Sequence, residues 1–357
     1  MLRRLSAILF LLIAPVTLAD VLKLKQSSPQ TYVVVKGDTL WDISAKYLKS
    51  PWRWPELWGF NGQISDPHWI YPGDKISLIY VDGKPQLVIN KSKPKLTMSR
   101  HGRKISKSKP IPTVALADIE RFLTHSLVVN EMTLQDAAVL VGSERDTLFY
   151  KNKDVIFANQ ALNVGQKYGI YRSGRNFTSP ATQHHLGTEL ELVGRATAIV
   201  SAKISSLRID SVESEIKNGQ LLLPIIEEFP TFFMPLAVAE NIKSSVIASA
   251  SRYLESGKNN VVIIDGGTAQ NISAGHVFSV YQPGKIQFVD QAGNVRTPDM
   301  YRAYDEVKAY FIDDETERLP NVYRGDLMVF KSFENISYAL ITNVVRPVRT
   351  GDDLINP

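Results

Sequence analysis

Thr31-Tyr-Val-Val-Val-Lys-Gly37-Asp38-Thr39-Leu40-Trp41-Asp42-Ile43-Ser44 decides the fold of the N-terminal part of the chain. It does so together with Asn61-Gly-Gln-Ile64-Ser-Asp66-Pro67-His68-Trp69-Ile70-Tyr71-Pro72-Gly73-Asp74-Lys75-Ile76-Ser77-Leu78. Tyr32–Val35 is apolar and β-branched and reads as a strand. Gly37-Asp38 turns the chain. Thr39, with Asp42 three residues on, fits a capping box and opens a helix whose apolar face is Leu40, Ile43 and Tyr47. Pro55 suits the first turn of a second helix, and Asn61-Gly62 its end. Pro72-Gly73 suits a type II turn, Pro setting φ and Gly taking φ > 0. Lys75–Tyr80 returns as a second strand. The order is strand, helix, helix, strand, and the segment holds all five tryptophans of the chain. Trp41, Trp54 and Trp58 stand at helical spacings and are read as core. Trp69 falls in a loop, where a stacking platform and a core lid are equally consistent.

These residues resemble a LysM domain over Thr31–Val81. The resemblance implies a βααβ fold that binds glycans containing N-acetylglucosamine, hence peptidoglycan glycan strands. It also implies a groove between the loop after the first strand and the loop before the second. On this chain the groove maps to Gly37, Asp38, Thr39 and Leu40 on one side. Asp66, Pro67, His68, Trp69, Ile70, Tyr71 and Pro72 form the other. Asp38 is read either as a turn residue or as a sugar contact, and His68 as a polar loop residue. Such a site needs no ionised catalyst: backbone N–H and C=O groups grip the N-acetyl amide and apolar side chains take its methyl. One departure is the bulky inter-helix stretch Lys49-Ser-Pro51-Trp-Arg-Trp54-Pro55, which bears on fine specificity rather than on the fold.

Outward from this segment, residues 1–19 read as a signal peptide. Arg3 and Arg4 supply the positive end, Leu5 to Ala14 the apolar run, and Thr17-Leu18-Ala19 the cleavage site. The run is shorter than the roughly 20 residues of a spanning helix. The expected product is exported to the periplasm, carries no integral membrane segment and associates with peptidoglycan. Residues 20–30 read as a flexible leader. Between Lys84 and Pro110 stand nine Lys and Arg and no Asp or Glu, against a net charge of +5 for the whole chain. The basic pI therefore belongs to a linker, residues 82–112, which reads as disordered or extended. A nucleic-acid partner is not expected, because that would want a basic patch on a folded module.

Leu116–Thr124 reads as a short amphipathic helix with Leu116, Ile119, Phe122 and Leu123 on one face. From Thr147 the text is strand-like, in short runs such as Val261–Ile264 and Leu327–Phe330. Gly165-Gln-Lys-Tyr168-Gly-Ile170-Tyr171-Arg-Ser-Gly174 is echoed by Gly275-His-Val-Phe278-Ser-Val280-Tyr281-Gln-Pro-Gly284. A second pair, Ile209–Leu222 and Ile341–Leu354, aligns Gly219 with Gly351. The offset grows from 110 to 132 residues, so the second copy carries 22 more, placed in Pro283–Met300 and Asp313–Asn321. Two related β units follow, 113–229 and 230–357, each a small barrel or sandwich, with Leu236–Ser251 read as a bridging helix. The fold class is α+β.

The chain has no cysteine, so thiol catalysis, disulfides and lipidation at Cys are excluded. Of the six histidines only His184 and His185 are neighbours, and neither His-x-His nor His-Glu-x-x-His occurs. No metal or cofactor is expected. Glu227-Glu228 and Asp313-Asp314 are read as surface charge, although a glycosidase carboxylate pair is not visible in sequence alone. Asp265-Gly266-Gly267 reads as a hairpin turn rather than a phosphate loop. The expectation is a non-enzyme, the alternatives being a LysM-bearing wall glycosidase or a general wall-binding scaffold. The overall plan resembles secretin-associated LysM proteins of type IV pilus systems, and Val261–Leu354 resembles the C-terminal domain of a flagellar-ring accessory protein. That resemblance implies an outer-membrane secretin as the partner of the β units.

Overall fold

The computed structural model describes residues 22–58, 70–90, 110–145, 147–180, 182–225, 232–239, 242–251, 253–289, 295–296 and 315–357. The N-terminal module runs β1 (Thr31–Val33), α1 (Leu40–Tyr47), α2 (Trp54–Trp58), β2 (Lys75–Val81) and β3 (Lys84–Asn90). β2 is central, antiparallel to both neighbours. Leu40, Ile43, Tyr47, Trp54, Leu57, Ile70 and Ile76 are fully buried between helices and sheet, with Trp41 and Trp58 close behind. The tryptophans read as core are core.

β3 corrects the reading of residues 82–112 as a flexible linker. Val81 pairs with Lys84 across a two-residue loop. Both loop residues, Asp82 and Gly83, have positive φ. Asp-Gly at this position is the strongest short hairpin signal a sequence offers. Leu87 then lies fully buried in the module core. At the far end of the same stretch, Ile111 is buried as well. Residues 91–109 lie outside the described residues. The leader is corrected too: Leu24 bridges Leu48, and Lys25 donates its N–H to the Tyr47 carbonyl at 2.7 Å. Leu22 and Leu24 pack on the module core, which is why residues 22–30 lie on it.

α3 (Leu116–His125) matches the amphipathic helix expected there. β4 (Ser126–Val129) and α4 (Glu131–Asp136) lead into the first β unit. This unit comprises β5 (Ala138–Ser143), β6 (Val155–Ala158), β7 (Lys167–Thr178), β8 (His185–Val200), β9 (Ser205–Val212) and β10 (Leu221–Pro224). Following the pairings gives β5-β6-β9-β8-β7-β10 and back to β5, a closed six-stranded barrel. In the second unit β11 (Leu236–Ala237) leads to β12 (Ser244–Ser249), β13 (Glu255–Ser256), β14 (Val261–Asp265) and β15 (His276–Gln282). β16 (Ile286–Val289), β17 (Val295–Arg296) and β18 (Glu315–Arg318) form a small sheet of their own. They are followed by β19 (Val322–Ser332), β20 (Ile336–Val344), β21 (Val348–Arg349) and β22 (Asp353–Ile355). Its ring is β12-β14-β20-β19-β15-β22 and back to β12.

The two rings have the same order, strand for strand. The repeat read from the paired glycines is therefore a repeated barrel, and β16–β18 fall where the extra residues of the second copy were placed. The bridging helix over Leu236–Ser251 is not formed: β11 pairs with β15 and β12 with β14 and β22. Val246, in the run that suggested a helix, points into the second barrel core. Asp265-Gly266-Gly267 is not a hairpin either, because β14 and β15 are not neighbours in the ring. His184 and His185 sit exposed at the tip of the β7–β8 hairpin.

The barrels differ in what covers them. Along β14 and β19 alternate residues face opposite ways. Val262, Ile264, Leu327 and Val329 fill the second barrel. Val261, Ile263, Met328 and Phe330 face outward, yet are buried in one continuous core with the N-terminal module and α3. With Val277, Ile336, Tyr338 and Leu340 they make an apolar outer wall. Burial at roughly 1.5–3 kcal/mol per large apolar side chain puts the upper estimate for these eight at about 12–24 kcal/mol. The shared core, rather than a loose tether, joins the module to this wall. α3 is held there by Lys331, whose Nζ donates to the carbonyls of Phe122, Leu123 and Ser126 at 3.2, 2.8 and 2.6 Å. Burial pushes this amine down to about 8. The β7–β8 hairpin crosses to the second barrel through Arg175, which donates to Glu189 at 2.8 Å and to the Ser249 carbonyl at 2.9 Å. The Tyr338 hydroxyl donates to Glu189 at 3.0 Å. Among the described residues no helix is long and apolar enough to cross a membrane.

The four repeat glycines all have positive φ: 82° at Gly165, 99° at Gly275, 86° at Gly219 and 89° at Gly351. Only at Gly275 would a Cβ also meet backbone, the Met234 carbonyl at 2.3 Å, because β11 lies alongside. Gly165→Ala should cost about 1 kcal/mol for the left-handed conformation alone. Gly275→Ala should cost roughly 2 kcal/mol more through the added clash. Urea unfolding with amide exchange in β7 and β15 as separate probes checks the order, and equal losses would contradict it.

Candidate functional site: a groove between two Gly-Asp turns

The expected groove is flanked by two turns of the same construction. In Val35-Lys36-Gly37-Asp38, Gly37 has φ +101°, and the Asp38 N–H donates to the Val35 carbonyl at 3.2 Å. The Asp38 carboxylate accepts from the Val35 N–H at 2.9 Å. In Tyr71-Pro72-Gly73-Asp74, Gly73 has φ +99° and the corresponding bonds are 3.0 and 3.0 Å. The Gly73 N–H reaches the Val34 carbonyl at 2.8 Å, so the turns stand side by side. Each Gly supplies the positive φ at the third position of a type II turn. Each Asp ties the turn shut with its side chain.

Asp38 is thus a turn residue in this geometry. Its carboxylate also accepts from the Tyr32 hydroxyl at 2.9 Å. Burial, with Asp38 adding to it, pushes the Tyr32 phenol up to about 12. Thr39 is the N-cap of α1: its Oγ1 accepts from the Asp42 N–H at 3.0 Å and donates to the Asp42 carboxylate at 2.7 Å. This is half of the expected capping box, since the Asp42 side chain returns to the Thr39 hydroxyl and not to its backbone.

Among the described residues of the expected groove, Leu40 and Ile70 are fully buried, Thr39 is nearly so, Asp38, Tyr71 and Pro72 are half-buried, and Gly37 is exposed. Side chains of Leu40 and Ile70 therefore belong to the core, and what these positions offer a ligand is backbone. Leu40 and Trp41 present N–H groups from the first turn of α1, and Ile70 presents a carbonyl from across the groove. Asp66, Pro67, His68 and Trp69 lie outside the described residues.

The groove is lined further by a segment that the sequence reading assigned to the linker. Ile111 donates its N–H to the Ile70 carbonyl at 2.9 Å. The Pro112 carbonyl accepts from the Leu40 N–H at 3.0 Å, and the Thr113 carbonyl from the Trp41 N–H at 3.1 Å. Ile111, Thr113 and Val114 are buried. The signal available in the sequence was the apolar alternation Ile111, Thr113-Val114 at the end of a lysine-rich run, masked there by Pro110 and Pro112. On the far side, Lys258 of the second barrel donates to Asp42 at 2.8 Å.

With this geometry in place, residues 32–78 match the family described as LysM domain. The chain carries a LysM domain at its N-terminal end, and that domain supports a peptidoglycan- or carbohydrate-binding role. Among relatives, the chain is 38% identical over 63 residues to "Uncharacterized protein YqbP" of Bacillus subtilis (strain 168). The match covers 15% of this chain and 29% of the relative, so it spans under a third of that protein's length.

Burial pushes the Asp42 carboxyl up, but the hydrogen bonds from Lys258 and Thr39 outweigh it, and the net value lies below the ordinary one. An acid depressed in this way contributes stability that is full above its unfolded pKa and lost as pH falls through the folded value. The pair is partly exposed, at 49% and 36% of the two side chains, so it is worth no more than about 1 kcal/mol. Lys258→Ala should therefore move the Asp42 titration midpoint upward with little change in global stability. A carboxyl-carbon NMR titration of both chains reads this, and an unmoved midpoint would mean that the Lys258 contact is absent in solution.

Proposed function

We propose that the protein is a non-catalytic, exported adaptor that binds peptidoglycan glycan strands through its LysM domain and presents two fused β-barrels to an envelope assembly. One observation carries the glycan half. The two Gly-Asp turns hold the Leu40 and Trp41 N–H groups opposite the Ile70 carbonyl, an arrangement of donors and acceptor that suits an N-acetyl amide. The LysM match over residues 32–78 supports the same reading. Gly37 and Asp38 then border the glycan, Thr39 and Asp42 hold the helix end in place, and Tyr71 and Pro72 form the opposite wall. A single contact of this size is weak, and many copies on one assembly would bind a repeating glycan multivalently.

The adaptor half is supported by architecture. The two barrels repeat one topology, and the proposed occupant of that platform is an outer-membrane secretin, on the resemblance of the whole plan to secretin-associated LysM proteins. The signal-peptide reading of residues 1–19, which lie outside the described residues, supports a periplasmic site of action.

Purified mature protein should sediment with insoluble wall sacculi, and removal of residues 22–90 should abolish this. Sedimentation that survives the deletion and falls away as salt is raised would assign wall binding to the remaining charges of Lys91–Lys109 instead. In the same samples no soluble muropeptides should be released over time; their release, lost on replacing a single Asp or Glu, would favour the glycosidase reading.

A further inference from the structure

We infer that residues 110–114 are an internal strap that occupies the LysM groove, and that glycan binding requires its displacement. The inference rests on the glycan reading above. An α-helix leaves its first N–H groups without partners inside the helix. In α1 the first intrahelical bond runs from the Ile43 N–H to the Thr39 carbonyl, and of the three helical N–H groups before it that of Asp42 goes to the Thr39 hydroxyl. The remaining two, on Leu40 and Trp41, go to the carbonyls of Pro112 and Thr113. Leu40 is fully buried and Trp41 is 3% exposed, so neither N–H can be left unpaired without loss. Across the groove the Ile70 carbonyl is taken by the Ile111 N–H. The strap thus supplies carbonyls to the helix end and an N–H to the opposite loop. A secondary acetamido group carries the same two functions, one C=O and one N–H, beside a methyl that can replace the buried Ile111 or Val114 side chain. Strap and glycan compete for the same three backbone groups.

The strap is also built to leave. Pro110 and Pro112 have no N–H, so it cannot pair along its length as a full strand. Trp41 Nε1 and Thr113 Oγ1, on two residues joined by a backbone bond, are both buried with no hydrogen-bond partner among the described residues. The seated strap therefore leaves its own Thr113 hydroxyl unsatisfied, as a fully optimised element does not. Because it is covalently attached, it competes at a high effective concentration, and apparent affinity falls by the fraction of molecules in which the groove is open.

Two measurements test this on the full chain, with a soluble β-1,4-linked N-acetylglucosamine oligomer as probe. The variant Ile111→Ser/Val114→Ser weakens the strap at its two buried side chains and should bind the oligomer about tenfold or more tightly than the unmodified chain. Amide exchange on the unmodified chain needs no variant. At saturating oligomer the Ile111 N–H should exchange at least about tenfold faster, while those of Leu40 and Trp41 stay protected because the acetamido carbonyl replaces the strap. If the oligomer binds and Ile111 keeps its protection, the strap is a fixed part of the module and the inference falls while glycan binding stands. If neither chain binds oligomer or sacculi, the glycan reading itself fails, and the strap proposal with it.

Discussion

The first turn of α1 is the point on which the N-terminal half of this protein is organised. Three N–H groups emerge there, and their partners come from three places. The Thr39 side chain takes that of Asp42, and residues 112 and 113 take those of Leu40 and Trp41. Those two bonds draw a distant part of the chain onto the LysM surface and fix where α3 begins, at Leu116. α3 in turn lies on the second barrel, its last carbonyls gathered by Lys331. A hydrogen-bonding demand at one helix end therefore sets the position of the LysM module against a β-barrel.

The second barrel answers that arrangement in its own sequence. A barrel strand that faces water on one side alternates apolar and polar residues, as β9 does with Leu207 and Ile209 inward and Arg208 and Asp210 outward. Val261-Val262-Ile263-Ile264 and Leu327-Met328-Val329-Phe330 do not alternate, because both faces are covered. The rings of the two barrels have one topology, so the difference lies in their outer walls. The first barrel covers part of its exterior with its own β4 and α4, against Tyr171, Leu190, Leu192 and Leu223, and the second has given its exterior to the module, the strap and α3. Duplication followed by specialisation of one outer face is a simple account of that contrast.

Much of this was legible in the sequence, and the parts that were not share a physical cause. The LysM strands, the cap at Thr39, the Pro72-Gly73 turn, the buried tryptophans and the α3 helix follow from short-range rules: turn chemistry, capping and periodicity. The repeat was legible because positive φ confines a position to Gly, and Gly165, Gly219, Gly275 and Gly351 recur at matching places. The errors arose where composition outweighed pattern. Lysines around Lys84–Asn90 hid a hairpin announced by Asp82-Gly83, and lysine and proline before Ile111 hid a buried strap. Leu236–Ser251 has enough Ala and Ile to suggest a helix, but its Ser-rich second half pairs into the barrel, where cross-strand bonds override local preference. The side chains of Leu40 and Ile70 belong to the core, and a sequence cannot separate that role from what their own amides do at the groove.

A groove closed by its own chain changes how the module and the barrels are joined. The strap runs directly into α3, and α3 rests on the outer wall of the second barrel, so the opening of the groove and the packing of that wall share one continuous segment. The Phe122–Tyr338 ring contact, at 6.1 Å, and the Tyr338–Glu189–Arg175 hydrogen bonds place that wall in contact with the first barrel as well. Strap, helix and wall thus form one continuous packed segment that touches the LysM groove at one end and both barrels at the other.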